Sequence, residues 1–369
     1  MAAKTHKATM TSRERMNRAL RRQTPDRVPV GYSGNEGINL RLRRHFGLAD
    51  NDHEGLLLAL ACDARNIWVP YRGPRLHADV PGLGVDQLWG IRKRWIEHST
   101  GGYWDFCDFP LRDAEDDTIA NWPMPNPDDF DYSAVQEQCR RHAERCLFVG
   151  GAGLGDIMNS TGMLMGQEQM LINLASEHEP TLRFTDRRLD VTLEITRRTI
   201  EAANGRIDFM WLGEDLGSQR GPLISLDMFR RLIRPRHQRF VDLAKQHGLP
   251  VMIHSCGSSS WAFDDFIAMG ITAVDTLQPE AKDMAPAYLK QRFGDRLAFH
   301  GAISTAGLLA SGTVPEVERL VRETLRVLMP GGGYMLAPTH SIQDNTPTEN
   351  VLAMYRAARE HGWHERGAA

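Results

Sequence analysis

Little in this sequence favours a disulfide framework, a membrane span or a nucleic-acid surface. It has five cysteines in 369 residues, Cys62, Cys107, Cys139, Cys146 and Cys256, odd in number and irregularly spaced. That excludes a cystine-stapled fold and leaves any special thiol as a metal ligand or a nucleophile. No run approaches the ~20 apolar residues that cross a bilayer, and the opening MAAKTHK lacks the apolar stretch of a secretory signal. No membrane contact and a cytoplasmic location are expected. Lys and Arg number 44 against 47 Asp and Glu, a formal net charge of -3, so the basic excess of a nucleic-acid binder is missing. Internal repeats and low-complexity tracts are also lacking.

What is present is a globular composition, 41% hydrophobic and 25% charged, with ample apolar surface to bury. The length fits one large barrel domain over residues 1–369, with short flexible ends at about 1–9 and 362–369. Thr11-Ser12-Arg13-Glu14 reads as a capping box opening a short amphipathic helix that stops before Pro25. From there, short apolar runs followed by loops and helical patterns mark candidate strands at 27–32, 64–70, 146–150, 209–213, 250–254, 273–276, 297–300 and 334–337. Eight such units predict a (β/α)8 TIM barrel. Helical periodicity is clearest at 182–204, 226–247, 314–328 and 347–361. Residues 72–132, rich in aromatic, acidic and proline residues, read as an insertion with a hairpin at roughly 83–98 and 102–108 that could cover the barrel mouth.

In such barrels the site is built at the C-terminal ends of the strands. Glu214, Asp215 and Gln219 follow the fourth run, His254 and Cys256 the fifth, Asp275 and Gln278 the sixth, His300 the seventh and His340 the eighth. His254 and Cys256, two apart at a strand end, can face the same side. Imidazole and thiolate are zinc ligands, and catalytic zinc takes three protein ligands plus an open position. His340 is the leading third ligand, with Glu214 and Asp275 behind it. Glu214 and Asp215 are adjacent, so on a strand only one faces the pocket, where it could act as general acid or base. Gly151, Gly153 and Gly155 miss the G-x-G-x-x-G spacing and read as a loop allowing close substrate approach.

Residues 11–30 (TSRERMNRALRRQTPDRVPV), 213–225 (GEDLGSQRGPLIS), 251–257 (VMIHSCG) and 332–350 (GGYMLAPTHSIQDNTPTEN) together resemble the uroporphyrinogen decarboxylase superfamily. The resemblance implies the same barrel and one of two chemistries: cofactor-free decarboxylation of uroporphyrinogen, or zinc-dependent methyl transfer to or from a corrinoid protein. The decarboxylases carry an R-Q-A-G-R segment that grips carboxylates; here residues 32–40 (YSGNEGINL) lack it, and Arg41, Arg43 and Arg44 follow at another spacing. The methyltransferases carry H-x-C and a distant second Cys; His254 and Cys256 match the first two, and His340 stands at the third position. The resemblance therefore implies zinc on His254, Cys256 and His340, and a small methylated, methoxy-type donor. The methyl acceptor would be a corrinoid on a separate protein, since D-x-H-x-x-G is absent. Glu214, Asp215 and His340 are the candidate catalytic residues, and Gln219, Asn159, Tyr32 and Asp275 the candidate substrate-binding ones. A homodimer is compatible with this reading. A decarboxylase or lyase using the same pocket is the alternative.

Overall fold

The computed structural model describes residues 8–99 and 101–364. Its ten strands are β1 (Ala64–Asn66), β2 (Gly84–Val85), β3 (Arg92–His98), β4 (Gly101–Phe106), β5 (Cys146–Gly150), β6 (Phe209–Gly213), β7 (Val251–His254), β8 (Ala273–Asp275), β9 (Ala298–Ile303) and β10 (Tyr334–Pro338). Seven pair in parallel in the order β1-β5-β6-β7-β8-β9-β10. The expected first strand joins the two edges without forming a ladder of its own. Val30 bridges Leu336 in parallel, Leu336 N–H donates to Pro29 O at 2.9 Å, and Asp63 N–H donates to Val30 O at 3.1 Å. Pro29 has no N–H to give, which limits that segment to a few bonds. The result is a TIM barrel, with all eight expected strand positions occupied.

Period-two alternation sorts the side chains. Phe209 and Trp211, Met252, Ala273, Ala298 and Met335 point inward and cluster with Cys146 and Phe148. Met210 and Leu212, Val251 and Ile253, and Val274 face the helices. The helix Ser12–Leu20, opened by the Thr11/Glu14 capping box, sends Met16, Ala19 and Leu20 into the inner cluster. It closes the N-terminal end, where Arg15 pairs with buried Asp63 at 2.7 Å and Arg27 with Asp63 at 2.9 Å. This end of the barrel is thereby covered, and the strand ends at the C-terminal mouth are left to build a site.

The expected hairpin is a three-stranded antiparallel sheet, β2-β3-β4. Its tip reaches the mouth: a Cβ built on Gly101 would lie 2.6 Å from Asp344, in the loop after β10. Of the ends expected to be flexible, residues 1–7 and 365–369 lie outside the described residues. Residues 9 and 362–364 are tied down, Thr9 N–H to Asp26, Val28 N–H to Gly362 O, and His364 N–H to Asp26 O. No helix among the described residues is long and apolar enough to cross a membrane.

Candidate metal centre

The alternation that builds the barrel wall also aims the site. Continuing the inward register of β6 from Phe209 and Trp211 leads through Gly213 to Asp215, and that of β7 leads from Met252 to His254 and Cys256. One ligand atom from each of Asp215, His254 and Cys256 lies within 4.8 Å of the other two, the one such group of three among the described residues. His254 Nε2 stands 3.3 Å from Cys256 Sγ and 3.5 Å from Asp215 Oδ1.

The far nitrogen of His254 is fixed. Its Nδ1 is 2.6 Å from Asp275 Oδ2 and 2.7 Å from Thr276 Oγ1, which keeps a proton there and turns Nε2 toward Cys256 and Asp215. Thr276 is β-branched yet sits at φ +91°, a strained conformation held where its hydroxyl meets the imidazole. Asp275 also binds His300 Nδ1 through its other oxygen at 2.5 Å. Asp215 accepts the Cys256 N–H at 2.7 Å and an Asn159 Nδ2 hydrogen at 2.8 Å.

Electrostatics follow from this crowding. Burial presses His254 toward neutrality, but Asp215 and Asp275 outweigh it and hold its pKa well above the histidine range. Burial likewise opposes ionisation of Asp275 and Asp215, and is outweighed by His300 and His254 at Asp275 and by His254, the Cys256 amide and Asn159 at Asp215, so both carboxyls lie far below the usual range. Burial pushes the Cys256 thiol up.

Tetrahedral zinc, with bonds of about 2.0–2.3 Å, needs donor atoms roughly 3.3–3.7 Å apart. The two separations from Nε2, 3.3 and 3.5 Å, match that spacing. Imidazole, thiolate and carboxylate together suit zinc in ligand type, and three protein donors leave the fourth position open.

The remaining sequence candidates fall elsewhere. His340 is exposed on the loop after β10, outside the group; the structure brings Asp215 to His254 and Cys256 instead. Glu214 takes the opposite register and is fully buried. It accepts the Ile157 and Met158 amides at 2.8 and 3.0 Å, capping the helix Met158–Met165, and lies 3.2 Å from buried His237. Tyr32 turns its hydroxyl to Asn39 at 2.6 Å, and Gln219 is exposed at the rim. Asp275 sits behind His254 rather than in front of it.

Sequence reasoning missed a second polar cluster behind Glu214. Asp156, Arg188 and His237 are all buried, and Arg188 donates to the Asp156 carbonyl. Burial, together with their mutual proximity to other carboxylates, pushes both Asp156 and Glu214 up to about 8, and burial pushes His237 down to about 4. Only the alternation of Glu214 with Asp215 hinted that one carboxylate would be turned away from the mouth.

Residues 132–361 match the family described as uroporphyrinogen decarboxylase (URO-D). The chain is 27% identical over 376 residues to a uroporphyrinogen decarboxylase of Alkalilimnicola ehrlichii, covering 96% of each. It is 28% identical over 199 residues to the methylcobamide:CoM methyltransferase MtaA of Methanosarcina barkeri, covering 52% of this chain and 54% of that one. A solved methyltransferase from Methanosarcina mazei superposes with a TM-score of 0.64 at 18% identity, covering 95% of this chain and 99% of its own. That last likeness speaks for the fold.

Proposed function

The chain belongs to the uroporphyrinogen decarboxylase family, and on that premise we propose that it is a zinc-dependent methyltransferase. It takes a methyl group from a small methylated, methoxy-type substrate and passes it to a corrinoid carried by a separate protein. The observation that carries this reading is the Asp215, His254 and Cys256 donor group at the barrel mouth. Zinc bound there supplies a Lewis acid that polarises a substrate oxygen. Two anionic donors balance its charge, whereas a His254, Cys256 and His340 set would leave one positive charge.

The chain's own residues do the remainder. Asp275 and Thr276 hold the proton on His254 Nδ1. The closed, aromatic lower barrel, where Phe148 stacks on Phe209 with centroids 5.0 Å apart, keeps water from entering below. His340, exposed at the rim, keeps the acid–base part of its assignment, and Gln219 belongs to the surface that meets what enters. The methyltransferase relative supports methyl transfer as a class.

The decarboxylase alternative draws on the relative covering 96% of the chain. Against it, the three arginines near the first strand are engaged. Arg41 donates to the Asp344 and Thr346 carbonyls at 2.9 and 2.8 Å, Arg43 to Glu36 and Arg44 to Asp50. None is left to grip a substrate carboxylate.

Metal analysis of the purified protein tests the proposal. Stoichiometric zinc is expected in wild type and His340→Ala, and loss of it in Asp215→Ala, His254→Ala and Cys256→Ala. The zinc protein mixed with reduced corrinoid and a methoxy donor should then shift the cobalt absorption bands, more slowly for His340→Ala. Wild type without zinc, or unchanged bands across methoxy, amine and thiol donors, would sink it.

A further inference from the structure

We propose that Asn159, backed by Gln167, is a positioning residue that sets the Asp215 carboxylate for the metal; the inference rests on the zinc reading above. Of the three donors, Asp215 is the one whose ligating end carries two equivalent oxygens. His254 ends β7, while Cys256 and Asp215 each lie two residues beyond the end of their strand, and the thiol of Cys256 offers one donor atom where the carboxylate of Asp215 can present either oxygen. Something other than a strand has to stop its carboxylate from rotating.

The two carboxylate oxygens are held differently. Oδ1 accepts the Cys256 amide at 2.7 Å and faces His254 Nε2 at 3.5 Å, so it is the oxygen on the metal side. Oδ2 accepts a hydrogen from Asn159 Nδ2 at 2.8 Å. The other end of Asn159 is taken in turn: Gln167 Nε2 donates to its Oδ1 at 3.1 Å. A carboxamide whose oxygen already accepts from a neighbouring amide can turn only its NH2 to the carboxylate, so Gln167 removes the flip that an isolated Asn would be free to make. The path for Gln167 is cleared by Gly162, where an added Cβ would lie 2.6 Å from the Gln167 carboxamide carbon. With one amide hydrogen on Asp215 and the oxygen on Gln167, Asn159 has a single hydrogen to spare, which leaves little of it for a substrate.

A neutral donor is the suitable partner here. It orients the carboxylate and keeps its full negative charge for the cation, where an arginine would neutralise it.

Chelator-stripped protein titrated with zinc in competition with a chromophoric chelator, and separately with cobalt(II), tests this without any turnover. Partners of this kind typically change metal affinity roughly 10- to 100-fold, so Asn159→Ala should weaken zinc by that factor and alter the cobalt(II) visible spectrum. Gln167→Ala should shift both in the same direction by less, and Asn159→Ser, which can still donate, should recover part of the loss. Thermal unfolding of the stripped proteins should coincide, which separates positioning from folding. Wild-type zinc affinity and cobalt spectrum in Asn159→Ala overturn the proposal. Should that variant not fold, Gln167→Ala, on the surface, decides: unchanged affinity and spectrum overturn it. Wild type that binds no zinc defeats the metal reading itself, and does so before any variant is made.

Discussion

At the scale of single residues, adjacent carboxylates separate into two jobs because a strand turns successive side chains to opposite faces. Asp215 faces His254 and Cys256, and Glu214 faces the helix layer, where it accepts two backbone amides. Their neutral isosteres should therefore fail differently. Asp215→Asn removes an anionic donor, so zinc affinity falls, and the stripped protein loses the pairing with His254 that holds this carboxyl below its usual range. Glu214→Gln can accept with only one oxygen, so one buried amide loses its partner at a cost of about 1–3 kcal/mol. Denaturant unfolding of stripped Glu214→Gln should show that loss against wild type, with zinc affinity kept. A stability equal to wild type would mean that the buried carboxylate does not hold the helix. Zinc binding at the proposed site should also be pH-dependent in a fixed direction. His254 and Cys256 both keep their protons more tightly than usual, and zinc must displace them. Affinity should then drop as pH falls, by roughly tenfold per pH unit for each proton released, which a zinc titration at several pH values reads directly.

At the scale of elements, the strands were legible because each is a short apolar run with turn residues on both sides, and the ladder places all seven paired strands within a few residues of those runs. The first segment was legible as a position but not as a strand, since its pairing depends on two distant neighbours and on Pro29. The third candidate metal donor was harder. Choosing Asp215 over His340 requires knowing where the loops after β6 and β10 turn, and loop paths are set by tertiary contacts that no local pattern records. The alternation from Phe209 through Trp211 and Gly213 to Asp215 was nevertheless in the sequence, and it separates Asp215 from Glu214. The same register explains Gly213, whose added Cβ would sit 1.7 Å from the Ala152 carbonyl oxygen. The β5–helix loop is strapped across the end of β6 at that point, with backbone on backbone and no flexible side chain to yield. Gly213→Ala should therefore cost at least about 3 kcal/mol, among the larger single-substitution effects. A denaturant midpoint within experimental error of wild type would contradict this contact.

Across the whole molecule, two carboxylates at opposite ends of the barrel, Asp26 and Asp156, have opposite effects on stability. At the closed end, burial resists ionisation of Asp26, but Arg15 outweighs it and holds the carboxyl at about 2. The folded state then binds fewer protons than the unfolded one, so this stabilisation is complete above the ordinary carboxylate value and is lost as pH falls toward 2. For Asp156, toward the open end, the sign reverses. Asp156 has an ordinary value of 3.8 and a folded value of about 8, so between those limits the folded protein keeps a proton that the unfolded chain releases. Its contribution is fully favourable below the unfolded value and is lost progressively as pH rises to about 8. Asp156→Asn removes that titration while leaving an oxygen to accept the Ser160 amide, bonded at 2.5 Å. Chelator-stripped wild type should thus lose thermal stability from pH 5 to pH 8 more steeply than Asp156→Asn, and the two melting curves should diverge toward the alkaline side. The titrations of Asp215, His254 and Glu214 are common to both proteins and largely cancel in the difference. Parallel profiles would place the Asp156 proton exchange outside this pH window and remove the buried pair from the stability of the fold.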